Sequence, residues 1–165
     1  MIQKKVCMLG SFAVGKTSLV RRFVKSMFSD KYHTTVGVKI DKKVVGVGEQ
    51  EMNLLLWDIH GKEKAEDINP SYLRGAAGYL LVVDGTRRAT LYTALAIQKA
   101  AQKIIGPIPF ILLINKSDLA EEWELEDREI EALLHMSWSV IKTSAKTGTG
   151  VESAFTNLAR KMLEA

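Results

Sequence analysis

Gly10-Ser11-Phe12-Ala13-Val14-Gly15-Lys16-Thr17 fits the pattern G-x-x-x-x-G-K-[ST], and its flanks decide the fold. Before it, Lys4 to Leu9 reads as a strand, apolar from Val6 onward. After it, Thr17 to Ser26 sets Leu19, Val20, Phe23 and Val24 at helical spacing. Strand, glycine-bounded loop, helix is the order this pattern requires. The glycines let the backbone turn tightly, so that successive N–H groups point inward at phosphate oxygens. The helix opening near Lys16 adds the positive end of its dipole. Lys16 brings a point charge to the β- and γ-phosphates, and the Thr17 hydroxyl is placed to ligate Mg2+. Gly10, Ser11, Phe12, Ala13, Val14, Gly15, Lys16, Thr17 and the following Ser18 are therefore candidate contacts for a nucleoside triphosphate, with the base still open.

Outward from this loop, apolar runs and helical patterns alternate, which predicts βαβ units and a mostly parallel sheet. Val36 to Val47 and Glu51 to Trp57 read as a hairpin with Gly48 at the turn. Tyr79 to Val83 and Phe110 to Ile114 are short continuous apolar runs, as expected of strands buried on both faces. A short strand near Trp138 to Ile141 completes six. Helices are expected over Ala89 to Ile105, Asp127 to Met136 and Val151 to Leu163. With 165 residues and no repeat, low-complexity tract or linker, one α/β domain is expected over 1–165.

Asn115-Lys116-Ser117-Asp118 follows the run Phe110 to Ile114, at the carboxyl end of a strand, where open parallel sheets bind ligands. A carboxylate there can accept from guanine N1–H and the 2-amino group, a pair of donors that adenine lacks. Ser144-Ala145-Lys146 follows the last strand and would close over the same base. Either stretch alone also fits an ordinary polar loop. Together, downstream of a phosphate loop, they make guanine the favoured base.

Composition narrows the classes. Hydrophobic residues make up 47% and charged residues 25%, the balance of a soluble globular domain. The longest apolar run falls short of a membrane span. The single cysteine, Cys7, lies in an apolar strand and reads as a small buried hydrophobe in a reducing compartment, so a cytoplasmic protein is expected. The net charge of +4 is segregated: Arg21, Arg22, Lys25, Lys31, Lys39, Lys42 and Lys43 cluster in one stretch, and seven acids lie between Glu121 and Glu131. No basic stretch is interleaved with stacking aromatics, so nucleic acid is not expected. The dipolar surface fits either two solvated faces or an acidic partner or anionic membrane.

These stretches, with TTVGVKI (34–40), WDIHGKE (57–63) and SYLRGAAGYLLVVDGT (71–86), give a chain that resembles the Ras superfamily of small GTPases over nearly its whole length, on the Rab-like branch. The resemblance implies a P-loop NTPase G domain, α/β, with a six-stranded mostly parallel sheet and helices on both faces. It implies GTP and GDP as ligands, magnesium as cofactor and GTP hydrolysis as the reaction. By position, Phe28 would stack on the guanine, Thr35 would join Thr17 and Asp58 around Mg2+, and the Gly61 N–H would sense the γ-phosphate. Loss of that phosphate would release both switch loops. Ile40, Trp57 and Tyr72 resemble an exposed hydrophobic triad that meets effectors and regulators, although core packing also explains Ile40 and Trp57. A monomer is expected.

Two residues depart from the family pattern. Lys62 stands where a glutamine orients the attacking water, and an ammonium only donates. With Lys16, Thr35 and Gly61 it completes the catalytic candidates, its role being at most to stabilise charge on the γ-phosphate. Phe12 stands where Ras proteins carry glycine, and its ring would crowd an arginine supplied by a partner. Slow hydrolysis without a partner is therefore expected; the alternative is an interaction module that stays loaded. The stretch Lys161 to Ala165 carries no lipid-accepting cysteine. A natural tail-less form is expected, like prokaryotic members of the superfamily, with membrane contact only through a partner or the basic stretch.

Overall fold

A computed structural model describes residues 1–24, 38–60 and 65–165. The expected positions Phe28, Thr35, Gly61 and Lys62 lie outside these residues. The order is β1 (Ile2–Gly10), α1 (Lys16–Val24), β2 (Val38–Val47), β3 (Gln50–Ile59), α2 (Pro70–Leu73), β4 (Ala76–Asp84), α3 (Arg88–Ile105), β5 (Phe110–Asn115), α4 (Asp127–His135), β6 (Val140–Lys142) and α5 (Val151–Glu164). Short 3₁₀ turns cover Ala65–Asp67 and Ser117–Glu122.

The sheet runs β2-β3-β1-β4-β5-β6. Among the described residues, only the β2–β3 hairpin is antiparallel and every other pairing is parallel. Central strands must then be apolar on both faces, and Val6 to Leu9 and Leu80 to Val83 are indeed buried without alternation. One core lies under α1 and α5, built on Val6, Met8, Leu80 and Val82. The other lies under α3 and α4, built on Cys7, Leu9, Leu81 and Val83. Parallel pairing sets the carboxyl ends level: Gly10 lies beside Val82, and Asp84 beside Asn115. The site is assembled on that edge.

Two expectations are corrected. The expected strand at Trp138 to Ile141 starts later, because the Trp138 N–H donates to the Leu133 carbonyl, 3.2 Å, and so finishes α4. Among the described residues of the stretch Arg21 to Lys43, the lysines of β2 do not share one solvated face. Along β2 the side chains alternate, so Lys39 is buried at 3% exposure while Lys42 is solvated. Among the described residues, no helix is long and apolar enough to cross a membrane.

The α1–α5 core is closed by Phe23 stacked on Phe155, centroids 4.0 Å apart and planes within 3°. Both rings are at most 2% exposed. Phe155→Ala is expected to cost roughly 3–5 kcal/mol of unfolding free energy in urea titrations. A loss under about 1 kcal/mol would mean that this contact does not hold the helices to the sheet.

Candidate nucleotide-binding site

β1 delivers its backbone into the loop at Gly10, and α1 begins at Lys16, its first turn marked by the Leu19 N–H on the Gly15 carbonyl at 2.9 Å. Ala13 takes φ 62 and Gly15 φ 107, conformations that turn N–H groups into the concavity. Lys16 is only 6% exposed. Its Nζ donates to the carbonyls of Gly10 at 3.1 Å and Ser11 at 2.9 Å. Burial pushes its pKa down to about 8, with the Asp58 charge pulling the other way. An ammonium in that setting is stabilised by an incoming anion.

Thr17 Oγ1 donates to Asp58 Oδ2 at 2.5 Å. Asp58 sits near the carboxyl end of β3 and is buried. A hydroxyl and a carboxylate so close form two oxygen donors of the hard type that Mg2+ prefers. They fall short of its octahedron, and nucleotide phosphate and water would supply the rest. The cavity here is about 620 Å³, lined by Phe12, Ala13, Lys16, Thr17, Asp58 and His60 among others. The Phe12 side chain stands at its mouth, 66% exposed.

A second cavity of about 420 Å³ shares Gly15, Ser18 and Lys116 with the first and adds Asp118, Ala145 and Lys146. The two expected halves, for phosphate and for base, therefore adjoin. Asn115 is 2% exposed and is a tie between loops: its Nδ2 donates to the Val14 carbonyl at 3.0 Å, and its Oδ1 accepts from Thr143 Oγ1 at 3.1 Å. Gly15 permits this contact, since a Cβ there would lie 2.2 Å from Asn115 Nδ2. Ser144 Oγ donates to Asp118 Oδ1 at 2.7 Å, which orients the carboxylate and leaves it acceptor capacity for a guanine. A further cavity of about 370 Å³, lined by Ile108, Phe110 and Trp138 among others, lies at the other ends of these strands and holds none of the motif residues.

Several residues that build the site were not among the expected contacts. Asp84, fully buried at the end of β4, takes Lys116 Nζ at 2.8 Å and Arg87 Nε at 3.3 Å on one carboxylate oxygen. Thr86 donates to the other from its N–H and its hydroxyl, at 2.9 and 2.7 Å. Burial alone would raise this carboxyl, but the bonds from Lys116 and Thr86 outweigh it and hold the group below its ordinary range. Arg87 Nη2 continues to the Phe12 carbonyl at 2.8 Å, so one buried carboxylate joins the base side to the phosphate side. Arg22 donates to the Thr147 carbonyl at 3.1 Å and braces the loop that follows Ser144. Asp84 ends an apolar run, the feature that marks Asn115, and was findable on that ground. Thr143, Arg87 and Arg22 carry no such signal.

The buried Lys16 sets a pH dependence for nucleotide-free protein. Its folded pKa lies below the unfolded value of 10.5, so the unfolded chain holds the proton between the two. Stability rises as pH climbs from about 8 towards 10.5, by at most about 3 kcal/mol. In urea unfolding of nucleotide-free protein, wild type is expected to gain on Lys16→Met across that window. A gap that stays flat with pH would contradict the assignment.

The Ras family matches this chain over residues 5–164. The Ras-related protein Rab-4B of Homo sapiens and that of Rattus norvegicus are each 37% identical to it over 161 residues, covering 96% of this chain and 76% of theirs. The Ras-related protein Rab-4A of Homo sapiens is 37% identical over 166 residues, covering 96% and 74%. Extended over a sheet of matching design, with the phosphate and base loops meeting at one edge, these likenesses show that the chain belongs to the Ras family, on its Rab-like branch, and is a GTPase.

Proposed function

We propose that the chain is a GTP/GDP switch that hydrolyses GTP slowly by itself and depends on a partner for turnover. Phe12 carries this reading. Its ring is 66% exposed at the mouth of the phosphate cavity, and its carbonyl is held by Arg87. The backbone that supports the ring is thus tied down, and a ring at that mouth would crowd an arginine offered by a partner, so the partner's part is read as supplying the missing water-positioning group. Lys62 supports the same reading on chemical grounds. An ammonium has three donors and no acceptor, so it cannot accept from an attacking water as a glutamine amide does.

Thr17 and Asp58 would hold magnesium, which supplies charge neutralisation between the phosphates when bound. This chain's own residues then do the positioning: Lys16 pairs with phosphate oxygens, and the loop N–H groups fix their orientation. Thr35 and Gly61, by family position, would couple the γ-phosphate to the switch loops.

The proposed partner surface is the side of the sheet bearing Ile40, Trp57 and Tyr72. Ile40 and Trp57 are register partners on β2 and β3, and Cys7 is the next partner of Trp57 on β1. The Tyr72 carbonyl accepts from Cys7 Sγ at 3.4 Å, which brings α2 to the same place. All three side chains are half-buried, packed on the core yet reachable. Lys5 Nζ lies over the Trp57 ring, 3.6 Å from its centroid, and fixes its orientation.

A second reading, a module that stays loaded and barely hydrolyses, draws on Phe12 and Lys62 as well. Single-turnover GTP hydrolysis separates the two. Wild type alone is expected to be slow, a cell extract to speed it, and Lys62→Gln to raise the rate by roughly tenfold or more. No acceleration from the extract would favour the loaded module. No effect of Lys62→Gln would remove the argument from its missing acceptor.

A further inference from the structure

Trp123 belongs to none of the motifs, yet its indole reaches into the base-reading loop. Nε1–H donates to the Lys116 carbonyl at 2.8 Å. The same carbonyl accepts from the Leu119 N–H at 2.9 Å, the bond that closes the 3₁₀ turn carrying Asp118. Lys116 itself is left-handed, φ 70 and ψ 39. A non-glycine residue keeps such a conformation only where its surroundings over-determine it. Two anchors do so here: Asp84 holds the ammonium, and Trp123 is a side-chain donor to the carbonyl.

The indole is seated in turn on Gly85. A Cβ at that position would come within 2.2 Å of the ring, so the glycine creates the seat. The Gly85 N–H donates to the Asn115 carbonyl at 3.1 Å, and its own carbonyl accepts from Glu124 N–H at 3.0 Å and Leu125 N–H at 3.3 Å. The chain on both sides of the 3₁₀ turn is therefore pinned to one residue at the end of β4, and Trp123 fills the space between.

We propose that Trp123 is a positioning residue for guanine discrimination, acting through the Lys116 carbonyl to hold the turn on which Asp118 sits. Trp123 lines neither the phosphate cavity nor the base cavity. The proposal rests on Asp118 as the guanine-reading group. If the turn shifts, the carboxylate loses its fit to N1–H and to the 2-amino group of the guanine at once. Inosine nucleotides lack that amino group and report on it directly.

The test compares wild type with Trp123→Phe, which keeps a ring against Gly85 but removes the donor. Release of fluorescently labelled GDP and IDP is followed by stopped flow, with thermal unfolding alongside. GDP release is expected to rise on the order of fivefold, while IDP release rises less, so the GDP-over-IDP preference narrows. Should Trp123→Phe not fold, benzothienylalanine at position 123 removes only the N–H from a ring of the same shape, with the same expectation. A lower unfolding temperature with the preference within twofold of wild type would mean that Trp123 only packs, and would overturn the proposal. Wild-type protein that fails to prefer GDP over ADP would instead overturn the guanine reading on which the proposal stands.

Discussion

The site is organised around a buried ammonium whose hydrogen-bond partners are backbone carbonyls. Lys16 bonds to Gly10 and Ser11 inside a loop whose N–H groups face the same concavity. Positive potential from the loop, the α1 terminus and the ammonium is therefore concentrated in one small space. Removing a charge from water is costly unless something answers it, and the fall of the Lys16 pKa to about 8 expresses that cost. Phosphate oxygens relieve it. The pocket is thus prepared for an anion before any ligand arrives.

What turns a phosphate pocket into a guanine-nucleotide site is the register of the sheet. Parallel pairing brings the ends of β1, β4 and β5 level, and short polar side chains then tie the loops together. Asn115 spans from Val14 to Thr143. Asp84 spans from Lys116 to Arg87 and onward to Phe12. Both are nearly inaccessible to water, where a satisfied hydrogen bond matters most and an orphaned one costs most. Disturbing either loop is therefore felt in the other, which suits a protein whose two ligands differ by one phosphate.

The parts legible in the sequence are those in which the chain carries its own instruction locally. The phosphate loop, the stretch from Asn115 to Asp118 and the turn after β6 each combine special backbone needs with side chains adjacent in sequence. Strands β1, β4 and β5 were legible because buried parallel strands are continuous apolar runs, and β2 and β3 because a glycine turn stands between them. What escaped depends on tertiary contact. Trp123 reads as a lone aromatic in an acidic stretch until Gly85 is placed beneath it. Arg87 reads as a solvated charge until Phe12 is within reach. The basic stretch failed for a different reason: charge counted along the sequence ignores the alternation that buries Lys39.

The central claim, that this edge of the sheet reads guanine through Asp118 and phosphate through Lys16, is tested most directly by competition. Unlabelled GDP and ADP are titrated against fluorescently labelled GDP on the same protein. A site built on buried hydrogen bonds to the base predicts GDP tighter by at least roughly a thousandfold. ADP competing within about tenfold of GDP would contradict the account.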